Sequence, residues 1–189
     1  GRTSIAAYFI SGGLLVKLYG IVGLLFTPFS RKYGSMIGWM LVSMTVLVLI
    51  PIFFADVSFV LHSYVDWYHR LLGKNQENIM TNLTDGMQDI SMMGMVRRIS
   101  GFTGLSNLWF LVPGAILTLL PLLKKDYFDD ERFKLFYLAQ VLIGVVIFST
   151  SAESPTYVIA VTGFAIWYAA FGEGRPIWIK GMLLLLFLL

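Results

Sequence analysis

The sequence contains no cysteine and little charge: 13% of its 189 residues are Asp, Glu, Lys or Arg. The first absence excludes disulfides, zinc ribbons and thiol catalysis. The second excludes an ordinary water-solvated surface, because soluble domains average about 25% charged residues. Also missing are a Walker loop, a dinucleotide-binding glycine fingerprint, a GxSxG elbow and an HExxH zinc motif. No segment repeats at a period of about 20–50 residues. Low complexity is confined to the leucines that end the sequence.

What is present is apolar: 57% of the residues are hydrophobic, and the mean hydropathy is +0.76. A bilayer core about 30 Å thick takes roughly 20 apolar residues as helix. Six segments qualify or nearly so, over 4–29, 35–54, 105–123, 133–150, 156–171 and 177–189, the fifth being short. The expected fold is therefore all-α, a polytopic transmembrane helical bundle in a single domain over 1–189. The sequence opens at Gly1-Arg2-Thr3 and stops inside a leucine run, and is expected to be an internal piece of a longer protein.

The net charge of +3 is small, and the basic residues cluster in loops. That pattern reports topology rather than a nucleic-acid footprint, so nucleic acid is not an expected partner. Arg31 and Lys32 follow the first span. Lys124, Lys125, Arg132 and Lys134 lie between the third and fourth, and Arg175 and Lys180 between and within the last two. The positive-inside rule puts these loops in the cytoplasm. The amino end, the long 55–104 loop and the 149–155 turn are then expected outside.

Within that outer loop, residues 57–72 are amphipathic at helical spacing. Tyr64, Trp67 and Tyr68 suit a helix at headgroup level. Residues 73–78 read as a polar turn, and a second interfacial helix is expected over 88–100. There Met92, Met95, Val96 and Ile99 share one face, and Ser91, Gly94, Arg97 and Arg98 the other. Two surface helices and a turn would make a lid or floor for a site.

Four places carry candidate chemistry. Lys17 falls in the middle of the first apolar segment, where a charge costs about 2.5–3.5 kcal/mol on insertion scales. It is expected to face protein or a wet cavity, on a side shared with Ala6, Gly13 and Gly20, small residues that let a second helix approach. Its ammonium would either reach an anionic group such as a lipid phosphate or pair with a neighbouring helix. The stretch Glu153-Ser154-Pro155-Thr156 reads as a helix start, with Ser154 as cap and Pro155 first. Free N–H groups there suit an anion. Glu153 would bind a cation or a sugar hydroxyl, or simply be solvated. Arg97-Arg98 sit on the outer side against the positive-inside trend, and fit either a phosphate or lipid headgroups. His62, Asp66 and His69 share a helix face, but no second ligand cluster accompanies them, so no metal site is assigned. Asn82-Leu83-Thr84 matches a glycosylation sequon and receives no role.

The order of local patterns carries a family resemblance. Leu15-Val16-Lys17-Leu18-Tyr19-Gly20 is followed by a basic turn, then by Tyr64-Val65-Asp66-Trp67-Tyr68 and the asparagine-bearing stretch 74–78. Next come Met92-Met93-Gly94-Met95-Val96-Arg97-Arg98 and then Ala152-Glu153-Ser154-Pro155-Thr156 opening a helix. This ordered set resembles glycosyltransferase family 87, polytopic enzymes of the GT-C superfamily, in its bacterial members. The resemblance implies a multi-pass protein of the bacterial inner membrane. It implies transfer of mannose or a related sugar from a polyprenyl-phosphate donor to a lipid or glycan acceptor at the extracytoplasmic face. It calls for no cofactor, and Lys17, Arg97, Arg98 and Glu153 match positions where the family shows recurring polar residues; together with the cap residue Ser154 they are the residues expected to bind the donor's lipid phosphate or sugar. Two departures stand out. Gly20 replaces a proline common in the family, and the family's catalytic carboxylate is expected in an earlier outer loop, so no catalytic residue is assigned. A secondary transporter, with Lys17 and the Pro155 helix lining its path, and a non-catalytic membrane protein are the alternatives. Inverted halves would mark the transporter, and none is visible.

Overall fold

Helices occupy every one of the expected apolar segments, and no strand occurs among the described residues. The computed structural model describes residues 2–30, 32–81, 91–101, 104–149, 152, 154–172 and 174–188. The chain divides into two compact units, Gly1–Glu77 and Asn78–Leu189.

The first unit begins with α1 (Arg2–Val16), then a 3-10 helix (Leu18–Phe29) and α2 (Tyr33–Leu49), which tightens into a 3-10 turn over Ile50–Phe53. Here the chain departs from the single helix expected over 4–29. Lys17 is extended (φ −151, ψ 129) and joins two segments that fold back on each other. The close approach needs Gly20: a Cβ there would overlap the Gly13 carbonyl carbon and the Leu14 nitrogen. Ser11 in turn donates to the Met40 carbonyl of α2 at 3.3 Å.

Among the described residues, Tyr33–Phe53 is the one helix long and apolar enough to cross a membrane by itself. It has 21 residues and a mean hydropathy of 2.3, and only 6% of its apolar window is buried. A helix that is apolar all round and yet uncovered by protein is matched to hydrocarbon, not water. Shorter apolar helices cover Thr3–Val16, Tyr19–Phe29, Leu108–Leu123 and Tyr157–Phe171.

α3 (Val57–Thr81) opens on an Asp56 cap, whose carboxylate accepts from the Ser58 and Phe59 amides at 2.9 and 3.4 Å. Its Tyr64 hydroxyl donates to the Val48 carbonyl at 2.7 Å, tying the helix to α2. The polar turn expected at 73–78 is instead part of this 25-residue helix. Lys, Gln and Glu are good helix formers, and a lone glycine costs only about 1 kcal/mol.

The second unit holds α4 (Met92–Ser100), α5 (Leu108–Leu119, extended as 3-10 to Leu123) and α6 (Glu131–Ile147). It ends with α7 (Tyr157–Gly172) and α8 (Ile177–Leu188). Asp130 caps α6, accepting from the Arg132 amide at 2.8 Å. α6 and α7 form an antiparallel pair seated on Gly163, where a Cβ would come within 2.8 Å of the Ala139 carbonyl oxygen and 2.9 Å of the Leu142 Cβ. α5 runs antiparallel to α6: Gly114 lies against Phe148, and Gln140 donates to the Leu117 carbonyl at 2.7 Å. The fully buried apolar side chains here are few, among them Met93, Tyr137, Val141 and Val146. The outer faces carry exposed Trp109, Ile116, Leu123 and Val158.

Candidate functional site

The antiparallel packing sorts the charges of the second unit to its two ends. The 124–134 connection and Arg175 share one end, because α6 starts there and α7 finishes there. Aromatic rings line it. Lys124 lies over Tyr127 at 6.0 Å and Arg175 over Phe171 at 4.9 Å. Phe133 stacks on both Phe128 and Tyr137. Basic side chains set against aromatic rings are typical of a headgroup-level belt.

The opposite end is formed by the start of α5, the end of α6 and the turn into α7, and Arg97 belongs to it. α4 starts at an extended Ser91, whose hydroxyl accepts from the Gly94 amide at 3.1 Å. One turn of helix then puts Met93, Gly94 and Arg97 on the buried side. Met92, Met95 and Ile99 face outward, at 42, 53 and 79% exposure. The polar face of this helix therefore packs on protein and its apolar face is left bare, the reverse of a helix on a water-soluble domain. Arg97 is only 2% exposed. Its Nη2 donates to the Leu105 carbonyl at 2.9 Å and to Asn107 Oδ1 at 2.8 Å, pinning α4 to the residue that precedes α5.

The paired arginines thus separate. Arg97 is a buried tie, while Arg98, at the edge of the apolar face, is exposed. Asn107, which sequence reasoning passed over, is the partner that gives Arg97 its place. A short polar residue just before an apolar run was the available signal.

At the same end, Ala152 is fully buried and Thr156 is 3% exposed. Ser154–Thr156 forms a 3-10 turn and α7 proper begins at Tyr157, so Pro155 lies in the lead-in to the helix rather than at its first α-helical residue. Glu153 lies outside the described residues, as does the sequon asparagine Asn82. Lys17 belongs to the first unit. It is exposed, at the corner between α1 and the 3-10 helix, with its Nζ 5.4 Å from the centroid of the Tyr19 ring. It is thus not in the middle of a helix, as the apolar run alone implied. On α3, His62 Nδ1 donates to the Ser58 carbonyl at 2.7 Å, an ordinary intrahelical contact. No group of three or more His, Asp or Glu side chains gathers among the described residues.

Helices clad in outward-facing hydrocarbon, a basic end belted by aromatic rings and an opposite end built on a buried arginine define a helical protein made for an apolar solvent. The model of glycosyltransferase family 87 matches residues 1–189, and the chain belongs to that family. It is a membrane glycosyltransferase, with a sugar donor and an acceptor as substrates. No curated protein and no solved structure matches it.

Proposed function

We propose that the protein transfers mannose or a related hexose from a polyprenyl-phosphate donor to a lipid or glycan acceptor. The reaction takes place at the extracytoplasmic face of a bacterial inner membrane that the chain crosses several times. The observation that carries this reading is the arginine-bearing end of the second unit, opposite the basic, aromatic-lined end that the positive-inside rule assigns to the cytoplasm. In the reaction the acceptor hydroxyl oxygen bonds to the anomeric carbon, and the bond from that carbon to the phosphate oxygen breaks. The electron pair leaves with polyprenyl phosphate, and the hydroxyl proton passes to a general base. Charge develops on the departing phosphate, and fixed cations lower the barrier by stabilising it.

In this reading Arg98 on the second unit and, separately, Lys17 on the first each meet a phosphate oxygen, and Arg97 positions Arg98 by fixing α4. Glu153 and Ser154, just ahead of α7 in the sequence, meet sugar hydroxyls. Hydrogen bonds to charged groups are worth about 1.5–3 kcal/mol. A contact made in the transition state therefore changes the rate roughly ten- to hundredfold. Arg98→Ala and Lys17→Met are expected to lower sugar transfer by that factor while membrane insertion stays normal. Wild-type rates for both would make each cation a lipid anchor and remove its phosphate contact.

A further inference from the structure

Residues 4–29 are apolar enough to read as one crossing, yet the chain reverses within them. Gly20 lies on the Gly13 backbone and Gly23 against the Ile10 side chain, so the 3-10 helix runs antiparallel to α1. Both pairs centre on the bond between Val16 and Lys17, which makes that corner the tip of a hairpin. The open ends carry Arg2 on one leg and Lys32 beyond the other, and the first acid of the sequence is Asp56. Among the described residues of the segment, the cations Arg2 and Lys32 are therefore at the open end and Lys17 at the tip. The legs are 15 and 12 residues long. At about 1.5 Å per residue for α-helix and about 2.0 Å for 3-10, they reach about 22–24 Å. A bilayer core is about 30 Å thick.

We infer that this hairpin enters and leaves the membrane on the cytoplasmic side and presents Lys17 at its tip to the phosphate level of the outer leaflet. The basic open end is held in the cytoplasm by the positive-inside rule. The tip stops several ångströms short of the outer boundary, a gap that the four-carbon stem of a lysine spans by snorkelling. Val16 at the tip is 88% exposed, and the neighbouring Tyr19 is the residue type that settles at headgroup depth. The ligand class is the phosphate of a lipid in that leaflet. The amino end of α1 then lies in the cytoplasm, opposite to the side expected when 4–29 is read as one crossing. The inference rests on the membrane frame of the proposed function, but its test reads topology and is independent of sugar transfer.

Because the sequence has no cysteine, single-cysteine variants report one position each. Thr3→Cys, Val16→Cys and Ser30→Cys would be made in the membrane-inserted protein and treated in intact cells with a membrane-impermeant maleimide. Val16→Cys, several ångströms inside the hydrocarbon, is expected to resist this reagent and, carrying a nitroxide in reconstituted membranes, to report a depth in the outer half of the bilayer. Thr3→Cys and Ser30→Cys are expected to be labelled only after permeabilisation. Thr3→Cys labelled from outside while Ser30→Cys is not would restore a single crossing and overturn the hairpin. A nitroxide at Val16→Cys that reports a depth at the bilayer centre or in the inner half would overturn the presentation of Lys17. Both open-end positions labelled from outside would reverse the orientation, whatever the transfer activity of the protein.

Discussion

Replacing Arg97 with Ala is expected to loosen α4 from the start of α5 and to lower sugar transfer with it. The guanidinium is buried and donates from one nitrogen to the Leu105 carbonyl and Asn107 Oδ1. Its loss removes two charge-assisted bonds and strands two acceptors, a change of about 3–5 kcal/mol. Limited proteolysis around residues 91–107 should therefore speed up sharply. Arg97→Lys should recover only part of the loss, because an ammonium is a compact point charge and lacks the planar fork. Arg98→Ala should leave the proteolysis pattern unchanged, since Arg98 is exposed. If Arg97→Ala is as protease-resistant as the wild type, Arg97 is not the tie described here.

A comparably large effect is expected at Gly163. The α6 and α7 backbones meet there, and even one Cβ would stand 2.8 Å from the Ala139 carbonyl oxygen and 3.0 Å from Ile143 Cγ1. A backbone oxygen does not move aside without moving its helix, so Gly163→Val must push the pair apart. Overpacking of this kind costs about 1–3 kcal/mol. For a change near 2 kcal/mol the thermal midpoint in detergent should fall by about 4–8 °C. Gly181→Ala is the control, since nothing lies within 4 Å of a Cβ at Gly181. Equal midpoints for the two variants would refute the close α6–α7 contact.

The parts of the fold that were legible in the sequence are those governed by solvent matching. The apolar stretches and the charged residues between them mark out the helices to within a few residues, because transfer to hydrocarbon acts on each residue largely by itself. What depends on tertiary contact was not legible. Between Leu14 and Gly23 only Lys17 interrupts the apolar run, and no proline marks a turn, so the reversal there shows only in the packing of Gly20 on Gly13. Likewise, the two faces of α4 can be drawn from its spacing, but which of them is buried depends on what Arg97 finds at Leu105 and Asn107. The turn expected at Gly73 weighted glycine and asparagine over the helix formers between them, and α3 runs through it. Of the candidate site, the family pattern singled out Lys17, Arg97 and Arg98. It could not separate the buried arginine from the exposed one, because adjacent residues on a helix differ by about 100° in direction, which no local pattern weighs against a partner.

Supplying the lipid-linked donor alone separates it from every other sugar source. Membranes containing the protein would be given polyprenyl-phosphate mannose labelled in the sugar, with no nucleotide sugar present, and label would be followed into lipid and glycan acceptors. Transfer is expected to depend on the protein and to fall roughly ten- to hundredfold in Arg98→Ala. Transfer from a nucleotide sugar in membranes stripped of polyprenyl phosphate, with none from the lipid-linked donor, would contradict that expectation.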